Sequence, residues 1–431
     1  MENKPKVLIR GPALSQSGYG QHARFLLRSL RKHEDKIDLY LINVGWGQTG
    51  WQYEICEERD YVDGLINKTV QHLQQNEGKV QFDMSVQVTI PGEFEKLAPI
   101  NIGVTAGIET NKISAEWVKR TYLMDKLIVP SQFAKESITN ATYQVKDQQG
   151  NDVEINCPCP VVVCPYPALV AEPEPLNFEL EYDENYLTMC QWGPRKNIEQ
   201  VIVGFVEELH NEEVGLIVKA SVRNQSRVDR EHTFEGLKGL LATLNRKYPD
   251  KKCKVYLLHG HMTEGEMATL FTHEKVKGYL TLPHGEGFGL STFDAAIHGL
   301  PVIAPFWSGT TEFMHAPIKQ KKNKRVTTKD QPALLSVSYS LAPVQDEAAW
   351  QNVLEKHMYW CFPEMGSYKA QLRKLRKNYN DAKGVANQLQ KHILEQFNPD
   401  VMYDNFAKEI TSMVDFSVEE WLSSLDVEEI E

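Results

Sequence analysis

The sequence lacks most of the features that would place it quickly. No run of about 18 or more apolar residues occurs in its 431 residues, which argues against a membrane-spanning helix. Met1 to Pro5 passes directly into a short apolar stretch, with no hydrophobic core followed by a small-residue cleavage site, so a secretory leader is not expected. Cysteine is sparse: seven residues, no paired Cys-x-x-Cys motifs, and Cys157 and Cys159 spaced poorly for a local disulfide or a zinc knuckle. Reduced thiols and a cytoplasmic location are therefore expected. Positive charge is not in excess, since the net charge is −11, and a polycationic nucleic-acid binder is excluded. No Gly-Lys-Ser/Thr phosphate loop is present, and no Asp-x-Asp triplet of the kind that clamps a divalent metal. No internal repeat of about 20–50 residues is visible.

What remains is a chain with 42% apolar and 24% charged residues, ordinary for packed globular cores, and long enough for two or three domains. Short β-like apolar runs at 6–10, 37–43, 84–90, 101–105 and 126–129 alternate with helix-like stretches such as 21–32 and 61–75. This alternation predicts α/β layers around parallel strands. Ser131 followed by Glu136 reads as another capped helix start. Six of the 21 prolines (158, 160, 165, 167, 173 and 175) then crowd into one stretch, which reads as a stiff connector. The alternation resumes with strands at 186–190, 214–220, 254–259, 278–282 and 301–304. Helices are predicted at 198–210, 234–248, 264–271, 290–298 and 347–360, and helical stretches dominate after 365. Two similar lobes on a stiff linker imply a cleft between them.

The most informative segment runs from His284 through Gly285, Glu286, Gly287, Phe288, Gly289 and Leu290 to Asp294. It follows a strand and opens a helix. Its glycines allow sharp turns and a close approach to a ligand, and the helix start directs free N–H groups at the same point. That combination suits a diphosphate. Glu286 can accept hydrogen bonds from sugar hydroxyls, and Asp294 from a ribose. A generic Gly-rich turn is the competing reading, but the acidic pair, the helix start and the strand at 301–304 occur together. Arg195 and Lys196 lie at the start of the first helix of the second lobe, where cations oppose the helix dipole unless an anion is bound. Lys219 ends the next strand and is a further candidate cation. In the first lobe, the loop from Gly11 to Gly20 brings Gly18 and Gly20 toward the cleft. It is not a dinucleotide fingerprint, because position 23 is Ala23. Glu109 and His284 each read as cleft-lining or structural, whereas His22 and His298 read as structural.

The 285–303 segment resembles the E-x7-E region of family-4 retaining glycosyltransferases. Glu286 matches the first acid and Asp294 the second, one methylene shorter, while Ser291 stands where the family has proline. The 308–312 segment (Ser-Gly-Thr-Thr-Glu) is similar to the family's next glycine-then-glutamate motif. Lys196 matches the lysine that neutralises the diphosphate leaving group. The family's arginine five residues earlier is Gln191 here, with Arg195 as the candidate to compensate. Segments 107–110, 115–117 and 129–133 also resemble the family, and the similarity spans about residues 5–400. The Gln-Ser-Gly-Tyr-Gly loop resembles that of glycosyltransferases of T-even-like phages.

The resemblance implies a GT-B fold: two Rossmann-like α/β/α domains facing each other across a cleft, with C-terminal helices. Residues 1–170 would form the acceptor-side domain and 171–385 the nucleotide-sugar domain. Residues 386–431 would form a helical segment packing back on the first. It implies a nucleotide-diphosphate sugar donor, a UDP-sugar by expectation, with no cofactor and no metal. Glu286, Lys196 and Arg195 would act in catalysis. Gly18, Gly20, Lys219, His284, Gly287, Phe288, Gly289, Leu290 and Asp294 would bind the donor. The leaving phosphate oxygen would take the acceptor proton, with retention of configuration.

The phage resemblance implies 5-hydroxymethylcytosine in DNA as acceptor and a host-cytoplasm location. Basic clusters at 319–325 and 369–377, five cations each, would then track the DNA backbone. A saccharide or a lipid-linked glycan is the competing acceptor, with the cationic 21–32 helix able to approach an anionic membrane. Rival classes are a sugar-nucleotide epimerase, a phosphorylase and a non-catalytic nucleotide-sugar binder.

Overall fold

The computed structural model describes residues 4–147, 149–322 and 325–413, with the side chains of 320–327 outside the description. The acidic 415–431 tail and most of the 319–325 cluster therefore lie outside the described residues.

The first lobe is a six-stranded parallel sheet. Its strands are β1 (Lys6–Gly11), β2 (Asp38–Asn43), β3 (Met84–Val88), β4 (Ile100–Val104), β5 (Lys126–Val129) and β6 (Val161–Val163), in the order β2-β1-β3-β4-β5-β6. The second lobe repeats the pattern with β7 (Asn185–Gln191), β8 (Gly215–Ser221), β9 (Lys254–Leu258), β10 (Val276–Leu280), β11 (Val302–Pro305) and β12 (Leu335–Val337), in the order β9-β8-β7-β10-β11-β12. Every residue of β3 is buried, as expected for a strand covered on both faces. The segment between β6 and β7 carries four of the six crowded prolines (165, 167, 173 and 175) and forms neither helix nor strand. It is tied to the body through Ala168 N–H to Phe397 O (2.8 Å) and Glu174 N–H to Gly265 O (3.1 Å).

The helices α1 (Gly18–Arg31), α2 (Glu57–Gln75), α3 (Ala115–Thr121) and α4 (Gln132–Thr139) belong to the first lobe. The second lobe carries α5 (Ile198–Leu209), α6 (Arg227–Lys247), α7 (Glu264–Thr272), α8 (Leu290–Ile297), α9 (Met365–Lys377) and α10 (Tyr379–Gln396). Helix α1 starts earlier than its apolar period suggests because the Ser17 side chain accepts from Gly20 N–H, a cap worth about 1 kcal/mol. Ser226 caps α6 in the same way, seven residues ahead of the predicted start.

The predicted 347–360 helix does not form. The chain makes a short 3-10 turn at Asp346–Ala348 and ends in a strand at Tyr359–Pro363. Between them Asn352 adopts a left-handed φ of 64°, and Trp350 and Leu354 exchange backbone hydrogen bonds. Burying Met358 and Trp360 in a small separate core outweighs local helix propensity.

The last described helix, α11 (Pro399–Thr411), returns to the first lobe. Phe406 stacks on Phe25 of α1 at 4.8 Å, and Lys126 Nζ meets Glu409 Oε2 at 3.0 Å. Helix α10 stays on the second lobe, where Gln390 Nε2 donates to Ile297 O at 2.8 Å. The loops beyond the carboxyl ends of strands in both sheets line one interlobe cavity of about 1020 Å³, the position where open α/β sheets bind ligands. Among the described residues, no helix is long and apolar enough to cross a membrane.

Candidate functional site between the lobes

The turn from β10 to α8 is shaped by what packs against it. A Cβ on Gly285 would stand 2.2 Å from Glu109 O, and one on Gly287 would stand 2.2 Å from Ala106 O. A Cβ on Gly309 would stand 2.0 Å from Gly287 O. Gly285 and Gly287 were expected to admit a ligand; they admit the backbone of the opposite lobe, while Gly309 packs against the turn within its own lobe. Ser131 Oγ adds a 2.6 Å hydrogen bond to Gly287 O, and Gln132 N–H donates to Glu312 Oε2 at 2.7 Å. Gly289, with φ 98°, forms the left-handed cap of α8. Residues 287–289 still border the cavity, while the Phe288 ring packs among Tyr166, Phe293 and Phe313.

Arg195 and Lys196 sit on a one-turn 3-10 helix after β7. Asn197 follows with φ 51°, a left-handed conformation asparagine tolerates, and its Nδ2 donates to Leu282 O at 3.0 Å. This places Lys196 Nζ 2.5 Å from Glu286 Oε1 and Arg195 Nη1 3.0 Å from Glu286 Oε2. Arg195 Nη1 also donates to Gly285 O at 3.0 Å, and its Nε lies 3.2 Å from Glu109 Oε1 of the first lobe. Burial works to raise the Glu286 carboxyl, but Lys196 and Arg195 outweigh it and hold the group below the usual carboxylate value. Burial opposes the charge on Arg195 as well. Glu109 and Glu286 reverse that effect and keep the guanidinium more firmly protonated than usual.

Asp294, in α8, lines the same cavity with no side-chain hydrogen bond, and burial, aided by Glu264, pushes its carboxyl up to about 7. Lys219 Nζ donates to Gly260 O at 3.0 Å; burial brings its ammonium down to about 8, with Glu266 acting in the opposite direction. Gly18 and Leu290 line the cavity from opposite lobes, and a Cβ on Gly18 would be 3.8 Å from Leu290 Cδ1.

Ten of the twelve residues selected from sequence therefore border one cavity: Glu286, Lys196, Arg195, Gly18, Lys219, Gly287, Phe288, Gly289, Leu290 and Asp294. Two do not. Gly20 is a packing glycine, whose Cβ would fall 1.9 Å from Ser15 O. His284 is turned away, with its ring stacked on Trp360 at 4.8 Å and its Nδ1 2.5 Å from Cys361 O.

The basic cluster at 369–377 does not reach the cleft either. Lys369 pairs with Glu207 at 2.6 Å, Arg373 with Glu208 at 2.7 Å, and Arg376 with Glu184 at 2.7 Å and Glu212 at 3.1 Å. The helix that reads as a phosphate track is largely an ion-pair seam against α5 and its flanks.

Several cavity residues escaped the sequence reading. His261, after β9, bridges the lobes, with Nδ1 3.0 Å from Gln16 Nε2 and Nε2 2.9 Å from Glu54 Oε1. Its place just past a strand end was the available signal. Asp229 accepts from the amides of Val222 and Arg223 (3.1 and 2.8 Å) and lies 2.9 Å from His259 Nε2, which shapes the loop that brings Arg223 to the cavity. Trp46, stacked on Tyr19 at 4.3 Å, and Trp350 also line it. Among the described residues, no three His, Cys, Asp or Glu side chains are placed to share a metal ion.

No protein-family model and no curated protein sequence matches this chain. Solved structures do match in shape. Sucrose-phosphate synthase from Thermosynechococcus elongatus superimposes with a TM-score of 0.57 at 13% identity, covering 96% of this chain and 100% of that one. Anabaena HepE in complex with UDP and glucose gives 0.55 at 10% identity, covering 95% and 100%. An E. coli structure described as trehalose-6-phosphate bound with UDP-2-fluoro glucose gives 0.57 at 11% identity, covering 96% and 99%. The agreement extends over both lobes and the helices that follow them, and the chain has the GT-B fold.

Proposed function

We propose that this chain is a retaining glycosyltransferase that moves a sugar from a nucleotide-diphosphate sugar to an acceptor hydroxyl. The observation that carries this reading is the convergence of Arg195, Lys196, Glu286 and the 287–289 backbone on one interlobe cavity. The donor diphosphate sits against the two cations and the start of α8, which neutralise the charge that builds on the leaving phosphate. Glu286 holds both cations in the free protein. When the phosphate takes its place, the carboxylate is released to accept hydrogen bonds from the transferred sugar. Asp294 accepts from the ribose. The leaving phosphate oxygen takes the acceptor proton on the face it departs from, which retains the anomeric configuration. The lobe contact at Gly285 and Gly287 keeps water from the reacting centre. UDP is the favoured nucleotide, because the similar structures are described with UDP, UDP-glucose or UDP-2-fluoro glucose.

The acceptor we propose is a saccharide hydroxyl rather than hydroxymethylcytosine in DNA. Three of the five cations that suggested a DNA track between 369 and 377 are neutralised within the chain.

The test is a thermal-shift screen of UDP-, GDP- and ADP-sugars, followed by product analysis. A donor at about 100 times its Kd stabilises by about 2.7 kcal/mol, so a bound sugar nucleotide raises Tm by several degrees. Release of free nucleotide diphosphate with an α-linked product from an α-linked donor supports retaining transfer. An epimerised sugar nucleotide, or consumption of free phosphate, would point to an epimerase or a phosphorylase. No stabilisation by any sugar nucleotide would remove the proposal.

A further inference from the structure

The segment that fails to form its predicted helix is an arm laid from the second lobe onto the first. Ser114 Oγ donates to Asn352 O at 2.6 Å, Asn111 N–H donates to Tyr359 O at 3.0 Å, and Tyr359 N–H donates to Asn111 Oδ1 at 2.9 Å. The arm is internally braced: Trp350 N–H to Leu354 O spans 2.7 Å, Leu354 N–H to Trp350 O spans 2.8 Å, and Val344, Met358 and Trp360 fill its own core. That core buries Trp360 completely but leaves Trp350 59% exposed, and Trp350 lines the interlobe cavity. A second indole, Trp46, lines the same cavity from the first lobe. It stacks on Tyr19, whose hydroxyl is held by Thr105 Oγ1 (2.9 Å) and Ala106 N–H (3.2 Å) on the loop that leads to Glu109.

Large aromatic side chains left out of a core and lining a cavity offer faces that a ligand can cover. The charge of the cavity as a whole narrows the class of ligand. The cavity is lined by six Lys and Arg residues against six Asp and Glu residues, so it offers no surplus positive potential for a polyanion. Indoles in a cavity that also carries hydrogen-bonding carboxylates suit a ring with apolar C–H faces and equatorial hydroxyls. We propose that Trp350 and Trp46 are aromatic walls of an acceptor subsite for a neutral saccharide in this cavity, with Glu109 of the same lining accepting hydroxyl hydrogen bonds. The class of acceptor rests on the transferase reading; the aromatic saccharide site does not.

The test is binding of the full-length protein, labelled at its N-terminus, to an array of neutral glycans and to a single-stranded oligonucleotide containing hydroxymethylcytosine. UDP-sugar thermal shift is measured in parallel. Wild type is expected to retain at least one neutral glycan. Trp350→Ala should weaken that binding about tenfold and Trp350→Phe by much less, since a second aromatic ring still stacks. Because Trp350 is exposed, both variants should keep the wild-type Tm and UDP-sugar shift. Retention of the oligonucleotide alone, of no glycan at all, or of the same glycan equally well by Trp350→Ala, would each overturn the subsite. Trp350-dependent glycan binding without any UDP-sugar shift would instead sink the transferase reading and leave the saccharide site standing.

Discussion

Glu109 and Arg195 meet across the cleft, carboxylate to guanidinium at 3.2 Å, and the same guanidinium holds Glu286 at 3.0 Å. One side chain thus ties the lobes together and braces the carboxylate at the centre of the site. Glu109→Gln keeps the size of the side chain and removes the charge. The expected result is a looser cleft: transfer falls about tenfold, corresponding to about 1.4 kcal/mol, and a larger share of donor is lost to water. The ratio of hydrolysis to transfer checks this, together with the radius of gyration in solution. A variant with wild-type values for both would show that Arg195 needs no partner in the first lobe.

The Lys196–Glu286 pair supports a double-mutant test. Lys196→Ala leaves a buried carboxylate with only Arg195, so stability should fall by roughly 3 kcal/mol, as for other broken buried pairs. Adding Glu286→Gln neutralises the stranded charge and should restore most of the Tm. Activity should not return, because the phosphate still lacks its cation; a loss of about 100-fold or more is expected in both variants. Urea denaturation and initial rates on the same preparations separate the two effects.

The free-enzyme pH profile should be narrow. Asp294, raised to about 7, is neutral below that value and gains charge above it, so its capacity to accept two ribose hydroxyl bonds grows as pH rises through about 7. Lys219, lowered to about 8, loses its charge as pH rises further, and attraction for a diphosphate falls. A bell with limbs near these values is expected in kcat/KM for the donor. Asp294→Asn should flatten the acid limb and Lys219→Arg the alkaline one. Stability carries the opposite sign for Asp294. Its folded form keeps a proton that the unfolded form releases from about 4 upward, so folding weakens as pH rises from about 4 to about 7. Asp294→Asn should therefore raise Tm at pH 8 and leave it unchanged at pH 4.

The parts of this site that were legible in the sequence are those fixed by local rules. The spacing of Gly285, Gly287 and Gly289 before an apolar helix locates the turn, and the Arg195–Lys196 pair at a strand end locates the cations. The illegible parts depend on residues far apart in the chain. That Gly285 and Gly287 receive the backbone of Glu109 and Ala106 is a tertiary fact with no local mark. Lys369 and Arg373 find their acids about 160 residues earlier, on α5, and Arg376 finds its acids on the flanks of that helix, so the periodicity of 369–377 read as a free basic face. Trp350 was hidden because its segment has helical spacing, and the arm is selected instead by tertiary packing: the small core around Met358 and Trp360 and the contacts to Ser114 and Asn111 in the other lobe.

His22 offers the last prediction. Its ring is fully buried against Tyr166 (4.9 Å) and Phe406 (6.1 Å), where α1, the linker and α11 meet, and neither ring nitrogen has a hydrogen-bond partner. Burial holds its pKa down to about 3. In the unfolded chain the ring takes up a proton near pH 6.5, whereas in the folded chain it stays neutral until about 3. The unfolded state therefore binds the extra proton throughout that window, and stability should fall steadily as pH drops from about 6.5 toward 3. His22→Phe keeps an aromatic ring in the cluster and removes both the titration and the unpaired nitrogens, which cost about 1–3 kcal/mol when buried. The variant should be more stable than wild type at neutral pH and should gain further on acidification, read from urea midpoints at pH 7.5 and 5. An equal midpoint difference at the two pH values would mean that His22 finds a partner or water in solution. The acid sensitivity of the junction would then have to come from elsewhere in the α1–α11 contact.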